Sequence, residues 1–247
     1  MGTRDRLVES ALRLLETHGL EALNARRLGA EIGASTMVVY SHFGGMAGLY
    51  EALARESFTR LARFLRESPS SADPVADLLV QAMIYRRFAL ADPHRYHLMF
   101  GVSAPGAGPL IDRAPATDGG LGTLAEVNAA FGEVVETVRR CMGADRLRRD
   151  DPVSTTGQMW SLLHGYMMLE LAGVFGDGAK GMLRVFAPAA INLLVGLGGE
   201  REATEHSALA AIPRFEQLQA AIPPEAGRPA TGPEQPAARR GRRPRIG

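Results

Sequence analysis

Apolar residues recur every three or four positions through most of the 247-residue chain, which is the spacing of one buried face on an α-helix. No segment shows the strict alternation of apolar and polar residues that is typical of a strand. The first apolar stripe includes Leu7, Leu12 and Leu15, follows Thr3 as an expected N-cap, and stops at Gly19. The pattern therefore predicts an all-α fold.

The segment 24–43 predicts two short helices joined by a tight turn. Asn24 is the expected N-cap of the first helix, and Leu28 lies on its apolar face. Gly33 then ends that helix, because glycine adopts a left-handed conformation at least cost, and Ser35 is the expected N-cap of the second. Two helices this close in sequence must cross steeply, which indicates a helix-turn-helix motif able to lay one helix in the DNA major groove.

Later helices are marked by an aspartate N-cap followed by proline at the first helical position. These pairs are Asp73-Pro74, Asp92-Pro93 and Asp151-Pro152. Apolar spacing predicts further helices over 46–66, 124–142 and 179–197, the last with a kink at Pro188. The segment 101–120 is predicted to be a loop, 200–222 to form short helices, and 223–247 to be disordered.

These elements predict three segments: a three-helix helix-turn-helix domain over 1–48, a larger helical domain over 49–200, and a largely disordered extension over 201–247 with a basic end. An apolar content of 46% with only 6% aromatic residues fits such a helical protein. The net charge of +1 neither favours nor excludes nucleic acid, although arginines concentrate near both ends. The arginine-rich stretch 239–245 leaves two interpretations open, a contact with DNA and a solvated tail.

Cysteine usage and hydropathy limit the cellular setting. Cys141 is the single cysteine, so an intramolecular disulfide and a cysteine-rich zinc site are excluded. No run approaches 18 uninterrupted apolar residues, and the N-terminus lacks the apolar core of a signal peptide. We therefore expect a soluble cytoplasmic protein with no membrane contact.

The predicted head carries a pattern that extends over three helices. In order, it contains Gly19-Leu20, Leu28, Gly33, Ala34-Ser35, Tyr40-Ser41-His42-Phe43 and Leu49. Over about residues 3–55 this pattern resembles the TetR (tetracycline-repressor-like) family of bacterial transcription regulators. Further on, Trp160, His164 and Gly165 resemble the subfamily with a Trp-His-Gly signature in its C-terminal domain. The resemblance implies a DNA-binding head followed by a helical domain that binds a ligand and dimerises.

The resemblance also implies roles at DNA for residues at matching positions. The expected DNA-binding residues are Arg26, Arg27, Ser35, Thr36, Met37, Tyr40, Ser41 and His42. Arg26, Arg27, Tyr40 and His42 are expected on phosphates. Thr36 and Met37 are the expected base readers, because a hydroxyl bonds base edges and carbon atoms meet a thymine methyl. Two positions depart from the family: Met46 replaces a phosphate-binding lysine, and Gly29 replaces an alanine.

For the larger domain, the resemblance implies a homodimer through helices near 152–175 and 179–198, and a pocket for a small apolar or aromatic effector. The expected pocket residues are Met83, Phe88, Tyr96, Met99, Phe131, Trp160 and His164. No glycine-rich phosphate loop, Gly-x-Ser-x-Gly elbow or His-Glu-x-x-His motif occurs, so we expect no enzymatic activity and no cofactor. His94 and His97 lack a third ligand at helical spacing, so we expect no metal.

The sequence thus predicts a ligand-responsive regulator that binds a near-palindromic operator in double-stranded DNA. We expect a repressor that its effector releases. One alternative is an all-helical ligand-binding or enzymatic protein with a vestigial DNA-binding head. Another is a regulator that responds to a protein partner, which a body without a cavity would favour.

Overall fold

The computed structural model describes residues 2–101, 125–176 and 179–219, and within these ranges the secondary structure is helical, without strands. The helices are α1 Thr3–His18, α2 Ala25–Glu31, α3 Met37–Phe43, α4 Met46–Arg66, α5 Pro74–Ala91, α6 Pro93–Met99, α7 Ala125–Gly143, α8 Pro152–Leu171, α9 Ala187–Gly196 and α10 Arg201–Leu218. The all-α prediction is confirmed. The expected loop over 102–120 and the tail over 223–247 lie outside the described residues.

Helices α1–α3 form a small head around one apolar core. The buried side chains of that core include Leu7 and Leu15 from α1, Leu28 from α2 and Val39 from α3. Helix α1 begins at Thr3, and the carboxylate of Asp5 accepts a hydrogen bond of 3.0 Å from the backbone N–H of Gly2. The expectation that Thr3 is the cap was wrong by one residue, because the chain is already helical there.

At the turn between α2 and α3, the predicted Asn24 cap and the left-handed Gly33 are observed, but the predicted cap of α3 is not. The Asn24 side chain accepts a 2.9 Å hydrogen bond from the Arg27 N–H, and Gly33 is left-handed with φ 69°. The predicted Ser35 cap was wrong: Thr36 precedes α3, and neither makes a side-chain capping bond. A Cβ at Gly29 would lie 2.8 Å from the Ala34 carbonyl oxygen, so the turn packs directly on this glycine. Gly29 therefore serves a close backbone approach.

A second close approach joins α3 to α4. Gly44 ends α3 in a left-handed conformation with φ 70°, and α4 starts two residues later. A Cβ at Gly48 would lie only 1.9 Å from the Phe43 carbonyl oxygen, a distance at which the backbone must move. Helix α3 is thus fixed against α4 through a contact that leaves no room for a side chain at position 48.

Helices α4 and α6 belong to the cores of both the head and the body. Leu49 and Leu53 near the start of α4 pack in the head core, whereas Leu61 and Leu65 near its end pack in the body core. Residue 49 was the first of the expected second domain, so this helix crosses that boundary. On α6, Leu98 packs in the head core, and its neighbour Met99 packs in the body core.

The body helices begin as the aspartate–proline pairs predicted. The Asp73 carboxylate accepts bonds of 3.1 Å from both Val75 N–H and Ala76 N–H. Asp92 accepts one of 2.9 Å from the Arg95 N–H, and Asp151 caps α8 in the same manner. Each bond satisfies an N–H that lacks a partner inside its helix. The predicted starts of α5, α6 and α8 are confirmed.

The C-terminal part of the body follows the prediction over 179–197 and departs from it afterwards. Residues 180–196 form one uninterrupted helical run, in which a π-helical turn, Met182–Phe186, leads directly into α9. Pro188 lies inside this run, as predicted, and its missing N–H leaves a carbonyl of the π-helical turn without its helical partner. The kink expected at Pro188 stays a prediction. Residues 201–218 form one continuous helix rather than short helices, with Pro213 inside it.

Ion pairs hold α10 against α5 and α7. The Asp77 carboxylate contacts Arg214 of α10 at 2.6 Å and Arg140 of α7 at 2.8 Å. The Ser207 hydroxyl donates a 2.7 Å hydrogen bond to Asp73. Burial on its own would raise the pKa of Asp77, but hydrogen bonds from the Ser71 N–H and hydroxyl, together with Arg214 and Arg140, outweigh burial and lower that pKa. The last described helix is therefore fixed to the body through charged groups far apart in sequence.

Candidate DNA-binding surface and effector pocket

The outer face of α3 presents side chains that have little contact with the rest of the protein. Met37 is 65% exposed and Tyr40 is 54% exposed, whereas Val39 between them is fully buried in the head core. The other residues expected on this surface, Ser35, Thr36, Ser41 and His42, are exposed. A buried valine thus fixes the rotation of the helix, and the polar and sulfur-bearing groups face outward together.

Two arginines flank this face from the first turn of α2. Arg26 is exposed, and Arg27 is half-buried, with its backbone N–H bonded to the Asn24 side chain. Their place at the N-terminal end of α2 favours anions, because helix N–H groups there lack partners. The structure therefore leaves both guanidinium groups available beside α3.

Sequence reasoning missed two arginines of α1 that support the head. The Arg4 guanidinium lies 5.2 Å from the centre of the Phe43 ring, and Arg6 donates a 2.9 Å hydrogen bond to the Ile32 carbonyl. The hydrogen bond from Arg6 satisfies a carbonyl just past the end of α2. Both contacts join residues far apart in sequence, so no local pattern could have revealed them.

The family resemblance predicts a phosphate-binding lysine at position 46, and Met46 does not supply its positive charge. Its side chain is partly buried and packs against the head core at the start of α4. Residue 46 therefore supplies no charged group on this side of α3.

The body contains an apolar cavity of about 100 Å³ between α4, α5, α7, α8 and α9. Its wall is mainly aliphatic and aromatic. The described side chains that line it include Phe58, Leu61, Leu78, Phe100, Phe131, Met159, Trp160, Leu163 and Phe186. Its polar lining residues among those described are Gln81, Tyr85 and Thr156. Apolar cavities with a few polar groups are typical ligand sites.

The residues expected in the pocket divide into three groups. Phe131 and Trp160 line the cavity. Tyr96 and His164 lie behind its wall and join it through hydrogen bonds to Tyr85. The remaining three, Met83, Phe88 and Met99, are part of the surrounding apolar core and are not among the lining residues.

Four polar side chains form one connected hydrogen-bond chain at this wall. The Trp160 indole N–H donates to the Tyr85 hydroxyl at 3.2 Å. The Tyr85 and Tyr96 hydroxyls are 2.9 Å apart, and the Tyr96 hydroxyl lies 2.6 Å from His164 Nδ1. With the His164 proton on Nε2, protons point from Trp160 through Tyr85 and Tyr96 to the Nδ1 acceptor. This arrangement satisfies each donor in the series.

Burial keeps this chain uncharged near neutral pH. Desolvation raises the pKa of both Tyr85 and Tyr96 above the usual tyrosine range, so their hydroxyls keep their protons. Desolvation lowers the pKa of His164, which favours the neutral ring that accepts from Tyr96. Trp160 and His164 lie at positions i and i+4 on one face of α8.

Sequence reasoning missed Gln81 and Tyr85, although a signal was present. The two residues are four apart on α5, whose other buried positions are mainly apolar, so they share one helix face. A glutamine buried to 7% exposure is unusual unless it has a partner. Its Oε1 atom is buried and has no hydrogen-bond partner in the described structure.

Exposed apolar groups cluster around the end of α8 and the approach to α9. Leu169 lies in the last turn of α8 and Val174 in the turn that follows this helix, whereas Leu183 and Val185 lie in the π-helical turn before α9. All four are more than 40% exposed. Large apolar side chains exposed together are typical of a protein interface.

The described residues contain neither a helix that could span a membrane nor a cluster of metal ligands. Within 2–101, 125–176 and 179–219, no helix has both the length and the apolar character needed to cross a membrane. The same residues bring no three His, Cys, Asp or Glu side chains together as a metal site would need. The His94 ring instead lies against Gly19, at 3.1 Å from where a Cβ would be.

Models of known families match both parts of the chain. Residues 7–53 match the model described as bacterial regulatory proteins of the tetR family. Residues 78–188 match the model described as the tetracyclin repressor-like C-terminal domain. A helix-turn-helix head and a helical body with a cavity define the class of one-component DNA-binding regulators. The chain belongs to the TetR family of bacterial transcriptional regulators.

Individual relatives agree with this assignment. A regulator of the helix-turn-helix type from Mycobacterium tuberculosis is 24% identical, over 71% of this chain and 73% of its own. The transcriptional repressor AcnR of Corynebacterium glutamicum is 35% identical, but over only 39% of this chain and 45% of its own. A solved structure of a protein of unknown function from Rhodococcus sp. RHA1 has a TM-score of 0.63, with 25% identity over 80% of this chain and 96% of its own.

The family match covers the head and the body together, so it does not favour a vestigial head on an unrelated helical protein. The narrower resemblance to the Trp-His-Gly subfamily finds no support in these matches and stays a prediction.

Proposed function

We propose that this regulator is a homodimeric repressor that binds a near-palindromic operator and is released by a small apolar or aromatic effector. The observation that carries the proposal is the pairing of a helix exposed on the head with an apolar cavity in the body. Family membership supports the first half, and the names of repressors among the relatives support the direction of control.

At DNA, the head supplies two kinds of contact. Arg26, Arg27, Tyr40 and His42 bind phosphates, which give affinity independent of sequence. Thr36 and Met37 read base edges at the start of α3. Because α3 has no Arg, Asn or Gln, it cannot make bidentate base contacts, and specificity depends partly on DNA shape.

Dimerisation uses the apolar surface at α8 and α9, which corresponds to the helices expected near 152–175 and 179–198. The exposed side chains Leu169, Val174, Leu183 and Val185 support this choice. A two-fold axis there places the same patch of each copy against the other. It also places two α3 helices for successive major grooves, about 34–36 Å apart.

Effector binding in the cavity changes the position of the head through α4 and α6. Both helices have residues in the two cores, and the His94 ring of α6 packs against Gly19 at the end of α1. An effector that binds better to one arrangement of these helices shifts the population toward it. The separation of the two recognition helices then no longer matches the operator.

Selection of bound duplexes from a random pool, followed by a screen of ligands for release, tests this function. We expect a sequence with approximate two-fold symmetry. Tyr40→Ala should weaken binding to all duplexes, whereas Thr36→Ala should change the preference at one or two base pairs.

The selection also has clear contrary results. A pool that yields no enriched sequence at low ionic strength would contradict the regulator function. Enrichment unchanged by Thr36→Ala would show that the register assigned to α3 is wrong.

A further inference from the structure

We infer that the body cavity selects uncharged ligands the size of one ring that carry a hydroxyl group, which Gln81 and Tyr85 bind together. This inference rests on the proposed function and specifies the chemical class of its effector.

The absence of charge from the described wall excludes ionised ligands. The described residues that line the cavity include no Asp, Glu, Lys, Arg or His. An ionised carboxylate or amine entering this site would lose its water and find no opposite charge. The occupant must therefore be neutral when bound.

The Gln81 side chain lacks the partner that a buried amide needs. It lines the cavity at 7% exposure, and its Oε1 atom has no hydrogen-bond partner in the described structure. Buried polar side-chain atoms are nearly always bonded, and an unpaired one is costly. A ligand hydroxyl that donates to Oε1 removes this cost, which an apolar ligand of the same shape leaves in place.

Tyr85 supplies the second contact, and its hydroxyl can act in either direction. It accepts from the Trp160 indole, pairs with Tyr96 at 2.9 Å and lies 3.3 Å from His164 Nδ1, so a ligand hydroxyl that reaches it replaces the longest of these contacts, the one with His164. If the His164 proton moves from Nε2 to Nδ1, Nδ1–H donates to Tyr96, and Tyr96 donates to Tyr85. The Tyr85 O–H then points to the ligand oxygen, so the chain adapts to a hydroxyl that accepts.

The positions of these two groups define one polar end of the site. Gln81 and Tyr85 are four residues apart on α5, so their side chains are neighbours on one helix face. The rest of the described wall is apolar apart from Thr156, whose hydroxyl already donates to the Pro152 carbonyl at 2.7 Å. The site therefore fits a molecule with one polar end and an apolar body.

The volume sets the size of that body. The cavity holds about 100 Å³, whereas an apolar cavity of roughly 150 Å³ accommodates benzene. A single six-membered ring therefore fits with a small displacement of the described wall.

Four probe molecules separate the features: phenol, anisole, toluene and benzoate. All four contain one six-membered ring. The polar group donates and accepts hydrogen bonds in phenol, only accepts them in anisole, is absent from toluene and is charged in benzoate. Binding to the full chain is measured by calorimetry and by the fluorescence of Trp160. Because Trp160 is the single tryptophan of the chain and lines the cavity, its emission reports on this site.

We expect phenol to bind at least tenfold tighter than toluene and anisole, with benzoate weakest. Gln81→Met keeps an unbranched side chain without the acceptor, so the ratio of phenol to toluene affinity should fall at least tenfold. Tyr85→Phe should lower the same ratio. Thr156→Val is the matched control, and its ratio should stay within about threefold of the original.

Toluene binding checks that each variant still folds with an intact cavity. Toluene bound as tightly as phenol by the original chain would overturn the inference, as would an unchanged ratio in Gln81→Met. Operator release is measured separately. Phenol that binds with the expected selectivity but does not release DNA would support the ligand class and contradict the proposed effector response.

Discussion

The DNA-binding surface and the effector cavity treat polar groups in opposite ways. Thr36, just before α3, and Tyr40 and Ser41 on α3 face solvent, which satisfies them until DNA replaces the water. At the cavity, Tyr85 in the wall and Tyr96 behind it are buried and must be satisfied by protein groups. Substitutions on the first surface should therefore change binding but leave stability intact, whereas those in the wall should change both.

A substitution where the two regions meet should have the largest effect. Leu98 of α6 is fully buried in the head core, although α6 also supplies Tyr96 to the hydrogen-bond chain behind the cavity wall. Leu98→Ala should lower the free energy of unfolding by about 2–5 kcal/mol and reduce the response of DNA binding to the effector. The control is Leu209→Ala, because Leu209 is 69% exposed and its loss should cost less than about 0.5 kcal/mol. Denaturant unfolding measures both, and equal effects would contradict the link through α6.

A glycine pair tests whether the position of α3 is fixed by its contact with α4. Gly48→Ala places a Cβ against the Phe43 carbonyl oxygen, so it should destabilise the protein by about 1–3 kcal/mol and abolish DNA binding. Gly132→Ala lies in α7 with open space around it and should be neutral or stabilise by roughly 0.5–1 kcal/mol. Thermal unfolding and a gel-shift titration measure the two effects. Intact DNA binding by Gly48→Ala would show that the contact is not required.

On the exposed surface, Arg27→Ala should weaken DNA binding without changing stability. If Arg27 neutralises one phosphate, the slope of log affinity against log salt should become less steep by about 0.9. Arg149→Ala removes an arginine that is 79% exposed on the body, and it should leave the slope unchanged. The same loss in both variants would indicate a general effect of net charge.

Acidification should act on the body through His164. Because burial lowers the pKa of His164, the unfolded chain binds this proton more readily than the folded protein. Stability should therefore be complete above the unfolded pKa, near 6.5, and decrease as the pH falls toward the lower folded pKa. Denaturant midpoints at pH 7.5 and 5.5 measure the decrease. His164→Gln should reduce this decrease in stability. We attribute the part that remains to His97, whose pKa is also lowered by burial.

How far the sequence could predict these regions depends on the range of their contacts. The Asn24 cap and the Gly33 turn involve residues within a few positions, so local chemistry was sufficient. The prediction of a Ser35 cap was wrong because α3 starts one residue later than the preference of serine for the N-cap position suggests. Short helices were predicted over 200–222, and the continuity of α10 was missed because distant ion pairs such as Arg214 to Asp77 fix it.

The cavity shows the same limit more strongly. Aromatic residues and their helical spacing identified Trp160 and Phe131, but nothing local separated lining residues from core residues such as Phe88. The bond between Tyr85 and His164 joins positions 79 apart. Only the folded arrangement of α5, α6 and α8 reveals that these side chains form one chain.

Hydroxyl-radical footprinting on a selected duplex tests the central claim most directly, which is that two copies of α3 read one operator. We expect two protected patches related by two-fold symmetry and spaced by one helical turn, about 10–10.5 base pairs. Sedimentation of the same complex should show two chains per duplex. A monomeric protein that protects no part of any duplex at low ionic strength would contradict the account.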